Sequence, residues 1–204
     1  MTQRIGLMGG TFDPIHFGHL VAAETAKELA QLDEVWFMPT YRPPHKQQTD
    51  GASPERRRDM VQIAIAGIPY FRLEPLELDR GGISYAIDTA ELLTNRFPDK
   101  SFFWIIGGDM ACYLPQWYRI LDLVRMVTFV ALNRPGYTTD LTTLPASIQE
   151  RVQLFEMVAL DVSSTTIRQR LRHGQTVRFL LPDQVLDYIH QQGIYSEVRQ
   201  QHEL

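Results

Sequence analysis

Apolar positions along this chain come in short blocks separated by longer amphipathic stretches. Ile5–Met8 is an apolar run that stops at Gly9-Gly10, and a helical pattern follows from about Gly18 to Leu32. Val35–Met38 is a second run, ended by Pro39. Behind it Tyr41-Arg42-Pro43-Pro44-His45-Lys46 must be an extended loop, because proline blocks helix continuation. The alternation goes on with a helix near Ser53–Ala66, a strand near Phe71–Glu74 and a helix near Tyr85–Arg96. A strongly apolar strand at Phe102–Ile106 stops at Gly107-Gly108, and another strand is expected at Met126–Leu132. Tyr137–Ser147 reads as a polar connection, Leu154–Leu160 as a late strand, and Thr165–Arg172 and Pro182–Gln192 as closing helices.

Strands that read as unbroken apolar runs and alternate with helices of about ten residues or more belong to a parallel sheet covered on both faces. The pattern therefore predicts an α/β fold, a doubly wound parallel sheet with C-terminal helices. Ligands of such sheets settle beyond the carboxyl ends of the strands, so the loops at Gly9, Pro39 and Gly107 should converge on one site.

Composition narrows the picture. With 204 residues, 44% of them apolar, the chain can fill one sizeable core, and a single domain over residues 1–204 is expected. It has no apolar run of about 18 residues, and Met1-Thr2-Gln3-Arg4 leads into the first strand without a signal-peptide core, so a cytoplasmic protein with no membrane partner is expected. The single Cys112 has no partner for an intramolecular disulfide and reads as a small core residue. A net charge of −4 disfavours wrapping a nucleic-acid backbone, and Arg56-Arg57-Arg58 reads as a solvated helix face. An anionic small molecule held by a few local cations suits the charge better.

The most informative segment is Gly9-Gly10-Thr11-Phe12-Asp13-Pro14-Ile15-His16-Phe17-Gly18-His19, between the first strand and the first helix. Glycines there let the backbone approach a ligand, and a helix start offers free N–H groups to an anion such as phosphate. His16 and His19, one turn apart, can turn both rings to the same point, with Gly18 between them leaving room for the ligand. Neither the P-loop pattern nor G-x-G-x-x-G fits, and no third ligand for zinc stands nearby, so no metal site is assigned. Near the other end, Val162-Ser163-Ser164-Thr165-Thr166-Ile167-Arg168 offers a serine cap, an apolar stripe at Ile167 and Leu171, and Arg168 one turn into the helix.

These two segments resemble the signatures of the nucleotidyltransferases with an H/T-x-G-H motif, the second with Val for the usual Ile. The resemblance implies a Rossmann-like nucleotidyltransferase fold and transfer of a nucleotide from a triphosphate to a phosphate. ATP would meet Gly9, Gly10, Thr11, Phe12, His16, His19, Gly107, Asp109, Ser163, Ser164, Thr165 and Arg168, with Asp109 near the ribose and Arg168 on the β- and γ-phosphates. Further segments are similar to those of nicotinate-nucleotide adenylyltransferases: Pro43-Pro44-His45-Lys46, Ser84-Tyr85-Ala86-x-x-Thr89, Leu114-Pro115-Gln116-Trp117-Tyr118 and Arg134-Pro135-Gly136-Tyr137. Gly193-Ile194-Tyr195 also looks like that family, so the resemblance runs from Ile5 to Tyr195.

In that family the mononucleotide would meet Thr40, Lys46, Ser84, Tyr85, Ala86, Trp117 and Arg134, with Lys46 at its phosphate and Trp117 on the pyridine ring. Ala86 stands where threonine is usual, leaving only a backbone N–H for the pyridine carboxylate, and Thr40 stands where asparagine is usual. The implied substrates are ATP, carrying Mg2+, and nicotinate mononucleotide. His16, His19, Lys46 and Arg168 would align the phosphates for direct attack, since a phosphate is itself a competent nucleophile. Competing readings are a sibling enzyme with a phosphopantetheine-like acceptor and a noncatalytic nucleotide-binding module. A synthetase fragment fits poorly, because the chain is acidic and lacks a K-M-S-K-S-like loop.

Overall fold

A computed structural model describes residues 2–44, 51–136 and 138–196. Its centre is a six-stranded parallel sheet of β1 (Gln3–Gly10), β2 (Glu34–Pro39), β3 (Phe71–Leu73), β4 (Lys100–Gly107), β5 (Val127–Asn133) and β6 (Val152–Glu156). The strands run in the order β3-β2-β1-β4-β5-β6, all neighbours parallel. The helices are α1 (Phe17–Leu29), α2 (Pro54–Ala64), α3 (Leu76–Arg80), α4 (Ala86–Arg96), α5 (Gly108–Ala111), α6 (Ile120–Met126), α7 (Ala146–Gln149), α8 (Ser164–Arg172) and α9 (Asp183–Gln191).

The period-two geometry of the strands sorts their side chains into two cores. Ile5 and Leu7 of β1 join Trp36 and Met38 of β2 on the face covered by α4 and α6, through Ile87, Ala90, Leu93, Ile120 and Leu123. Met8, Val35 and Phe37 join the opposite face, where α1, α2, α8 and α9 bring Ala23, Met60, Ile167 and Val185. Gly6 makes that second packing possible, since a Cβ there would stand 2.7 Å from Leu32 Cδ1 and 3.0 Å from Ile105 Cδ1. Helices on both faces make the sheet doubly wound, as the block pattern predicts.

Strand order reverses between β1, which continues to β2 on one side, and β4, which continues to β5 on the other. The crevice outside the carboxyl ends of β1 and β4 is the switch point where such sheets bind ligands.

Several expectations are corrected. Ile120, Leu123 and Val124 are buried at helical spacing in α6, which runs straight into β5 at Val127. With no turn residue between helix and strand, nothing in the sequence marks this short helix off from the strand expected at Met126–Leu132. The five-residue α3 has too little pattern to be read. The late strand begins at Val152 and ends at Glu156 rather than spanning Leu154–Leu160, and the expected polar connection ends at α7. Cys112 is exposed, not a core residue. Arg57 is only 4% exposed, so the arginine run is not a uniformly solvated face.

Candidate active site

A cleft of about 1090 Å³ opens at the switch point and is lined from four directions. Gly9, Thr11, Asp13, His16 and His19 come from the end of β1 and the start of α1, and Gly107 and Asp109 from the end of β4. Trp117 and Arg134 stand on a third side, and Ser163, Ser164, Thr165 and Arg168 arrive with α8 on a fourth. Two motifs about 150 residues apart thus share one cavity, held by Ser164 Oγ donating to the Pro14 carbonyl at 2.9 Å. Ser163 takes the capping role, accepting from the Thr166 N–H at 3.1 Å.

The loop after β1 is shaped by its glycines and by Phe12. Phe12 turns at φ 50 and drives its ring into the core at 1% exposure, so only its backbone remains for a ligand. Gly10 leaves space for that ring, because a Cβ would stand 3.1 Å from Phe12 Cε1. Gly18 similarly makes room for the His16 ring, whose Cε1 and Nδ1 would lie 3.0 Å from an added Cβ. Gly18 also lines the cleft, so the room it leaves lies both beside the imidazole and toward the cavity.

The two imidazoles stack with centroids 3.7 Å apart, and the Phe12 ring meets His19 edge-on at 5.0 Å. The His16 backbone N–H donates to His19 Nδ1 at 3.3 Å, so neutral His19 carries its proton on Nε2. Burial, and then the charge of Arg134, lower the His16 pKa from 6.5 to about 4. Burial, and then His16, push His19 well below its usual value. Near neutral pH both rings are therefore uncharged, each with one ring N–H to donate.

This pair has a consequence for stability. Between pH 6.5 and 4 the unfolded chain takes up a proton at His16 that the folded chain refuses. Stability is full above the unfolded pKa and is lost as pH falls toward the folded one. Urea unfolding at about pH 7.5 and about pH 5 should show wild type losing about 2 kcal/mol more than a His16→Gln variant over that interval. Equal losses in the two proteins would mean that His16 is not held neutral.

Arg168 donates from Nη1 to the Asp13 carbonyl at 2.7 Å, and the same atom lies 3.7 Å from Asp13 Oδ2. Arg57, whose importance the sequence did not signal, reaches from α2 to the same loop. It donates to the Thr11 carbonyl at 2.7 Å and to the Tyr41 carbonyl at 3.3 Å. Asn133, at the end of β5, also lines the cleft, with its Oδ1 accepting from Thr139 Oγ1 at 2.5 Å. Gly108 is packed against this pair, since a Cβ would fall 1.8 Å from Asn133 Oδ1. An amide at a strand end just before Arg134-Pro135-Gly136 was the available signal for Asn133.

Among the remaining candidates, Thr40, Ser84, Tyr85 and Ala86 lie apart from the lining. Thr40 follows β2, its N–H donating to the Gly10 carbonyl at 2.9 Å, while its Oγ1 is buried without a hydrogen-bond partner among the described residues. Ser84 Oγ accepts the Tyr41 N–H at 3.2 Å, tying the two loops together. Tyr85 N–H is taken by the Ile83 carbonyl at 3.2 Å, whereas Ala86 is the first residue of α4, a helix start with no side-chain cap. The Tyr85 ring leans on Tyr118 at 4.9 Å, and Trp117 packs on Trp104 and Phe129 at 6.4 and 5.9 Å. Thr40, Ser84, Tyr85 and Ala86 are not among the residues lining the cleft, although Trp117 is. Lys46 lies outside the described residues.

Comparison with known proteins agrees with this architecture. Residues 7–170 match the cytidylyltransferase-like family. A probable nicotinate-nucleotide adenylyltransferase of Bacillus pumilus is 46% identical over 194 residues, 95% of this chain and 99% of that protein. One of Oceanobacillus iheyensis is 43% identical over 194 residues, 95% of this chain and 97% of that protein. Among solved structures, Plasmodium falciparum nicotinic acid mononucleotide adenylyltransferase complexed with NaAD superposes with a TM-score of 0.76 at 21% identity, covering 95% of this chain and 97% of the other. At that identity the likeness is one of fold.

Proposed function

Given that the chain belongs to the nicotinate-nucleotide adenylyltransferases of the cytidylyltransferase-like family, we propose how its residues divide the work of that reaction. The enzyme transfers the adenylyl group of ATP to nicotinate mononucleotide, giving nicotinate adenine dinucleotide and pyrophosphate, a step of NAD biosynthesis. A mononucleotide phosphate oxygen attacks the α-phosphorus of ATP, and the bond from that phosphorus to the bridging oxygen breaks in line, its electrons leaving with pyrophosphate. No covalent enzyme intermediate is required. The protein aligns two mutually repelling anions and stabilises the charge that shifts between them.

The observation that carries this division is the meeting of His16, His19 and Arg168 around one cleft at the switch point. In our reading the His19 Nε2–H and the His16 ring meet the triphosphate beside the Gly9–Phe12 backbone, and Arg168 meets the departing pyrophosphate. Asp109 takes the ribose hydroxyls, Trp117 stacks on the pyridine ring, Arg134 adds positive charge, and Lys46 meets the attacking phosphate. Mg2+ would come on the ATP phosphates rather than on a protein carboxylate cage, and would neutralise part of their charge. We further propose that residues 1–204 act as one nucleotidyltransferase domain working in the cytoplasm. No helix among the described residues is long and apolar enough to cross a membrane.

Preference for the acid over the amide follows if the pyridine carboxylate meets the uncapped start of α4 at Ala86. An anion gains there from both the N–H groups and the helix dipole, and a neutral carboxamide gains less. A coupled assay offering ATP with each mononucleotide should give a kcat/KM at least about tenfold higher for nicotinate mononucleotide, the scale of one charge-assisted contact. A preference for the amide would reverse the assignment of this segment. Turnover of a phosphopantetheine-like acceptor alone would support the sibling reaction instead.

A further inference from the structure

Asp13 lies in the phosphate-facing loop, yet at 6% exposure it is buried, and everything that fixes it comes from elsewhere in the chain. Its Oδ1 accepts the Tyr195 hydroxyl at 2.5 Å and the Ala52 N–H at 2.9 Å. Those two contacts orient the carboxylate so that Oδ2 stands 3.7 Å from Arg168 Nη1, the same atom that donates 2.7 Å to the Asp13 carbonyl. Gly51 permits the approach, since a Cβ there would fall 2.1 Å from Asp13 Oδ2.

Tyr195 is 8% exposed, its ring packed in the core under α1, α2 and α9, and its backbone adopts φ 63. Nothing in apolar packing requires a hydroxyl at that position, and phenylalanine would fill the same space. The hydroxyl instead ends in a charged network: burial and the Asp13 carboxylate raise its pKa, so it remains a donor at any working pH. The guanidinium of Arg57 lies on the same side, where Asp13 and Tyr195 each oppose the loss of its charge.

We propose that Tyr195 is a positioning residue for the transfer: through Asp13 it holds the Arg168 guanidinium at the place where pyrophosphate departs. This rests on the assignment of Arg168 to the leaving group. Tyr195 touches no substrate, and its effect is expected in turnover and in ATP use, with little change toward the pyridine substrate.

The test is a two-by-two set of full-length proteins, wild type, Tyr195→Phe, Arg168→Lys and the double variant, assayed for dinucleotide formation. Tyr195→Phe should lower kcat about five- to tenfold, the scale of one ordinary intramolecular hydrogen bond, with KM for nicotinate mononucleotide changed less than about twofold. In the Arg168→Lys background the same change should cost less than about twofold, because the group it positions has gone. Asp13→Asn, which keeps the shape of the side chain, should reproduce the kcat loss even if the phenylalanine variant folds poorly. Unaltered kcat in Tyr195→Phe, or losses that multiply fully in the double variant, would overturn the proposal while leaving adenylyl transfer intact. A wild type that forms no dinucleotide would remove both.

Discussion

Replacing His19 with alanine is expected to lower kcat by roughly 100-fold or more, the cost of losing one preorganised donor to charge that develops in the transition state. The expectation follows from how the ring is held. Its Nδ1 is engaged by the His16 N–H, its faces meet the His16 ring and the edge of Phe12, and its remaining proton is on Nε2. Such a donor needs no reorganisation when the triphosphate arrives. Because Phe12 already fills the core beneath, removing the imidazole should leave the fold largely intact, and the thermal midpoint measured beside kcat separates the two effects. Turnover within a factor of a few of wild type would end the assignment of His19 to the transferring phosphates.

The doubly wound parallel sheet and the place of the cleft at its carboxyl edge were legible because the blocks from Ile5 to Leu132 obey simple periodicities, and because glycine or proline stands at the ends of β1, β2 and β4, where loops must begin. The His16 and Arg168 segments were legible as motifs, and Ser163 as a cap, since these depend on neighbours a few residues away. What the sequence did not reveal depends on long-range burial. Arg57 sits within an arginine run whose other members carry no deep burial, and only the fold turns it toward the Thr11 carbonyl. Asp13 and Tyr195 are separated by 182 positions, a pairing that no local pattern encodes. Cys112 departs from expectation for the converse reason: a small apolar residue after a buried strand looks internal, yet it is exposed and lines the cleft, where the chain turns after α5. The spacing of the motif could not show that Gly18, which lines the cleft, also makes room for the His16 ring.

The Arg168→Ala variant is expected to lose roughly 100-fold in kcat, and Arg168→Lys roughly tenfold, because lysine returns the charge without the planar fork. The side chain is placed for this effect by its position on α8, whose buried Ile167 fixes the helix against the core and leaves the next residue at the cleft. Its contact to the Asp13 carbonyl uses Nη1, while Nη2 reaches Thr165 Oγ1 at the outer limit of 3.5 Å. One edge of the guanidinium thus anchors the loop, and in the proposed mechanism the weakly held Nη2 is the nitrogen that would meet a phosphate. Pyrophosphate inhibition gives an independent readout. If Arg168 meets the leaving group, the alanine variant should require at least about tenfold more pyrophosphate for half-inhibition, since a charge-assisted contact to the product is lost together with the one in the transition state. Loss of kcat with unchanged pyrophosphate inhibition would mean that Arg168 acts only by holding Asp13. In that case the charge at the departing phosphates must come from another side of the cleft, where Arg134 already makes its field felt at His16.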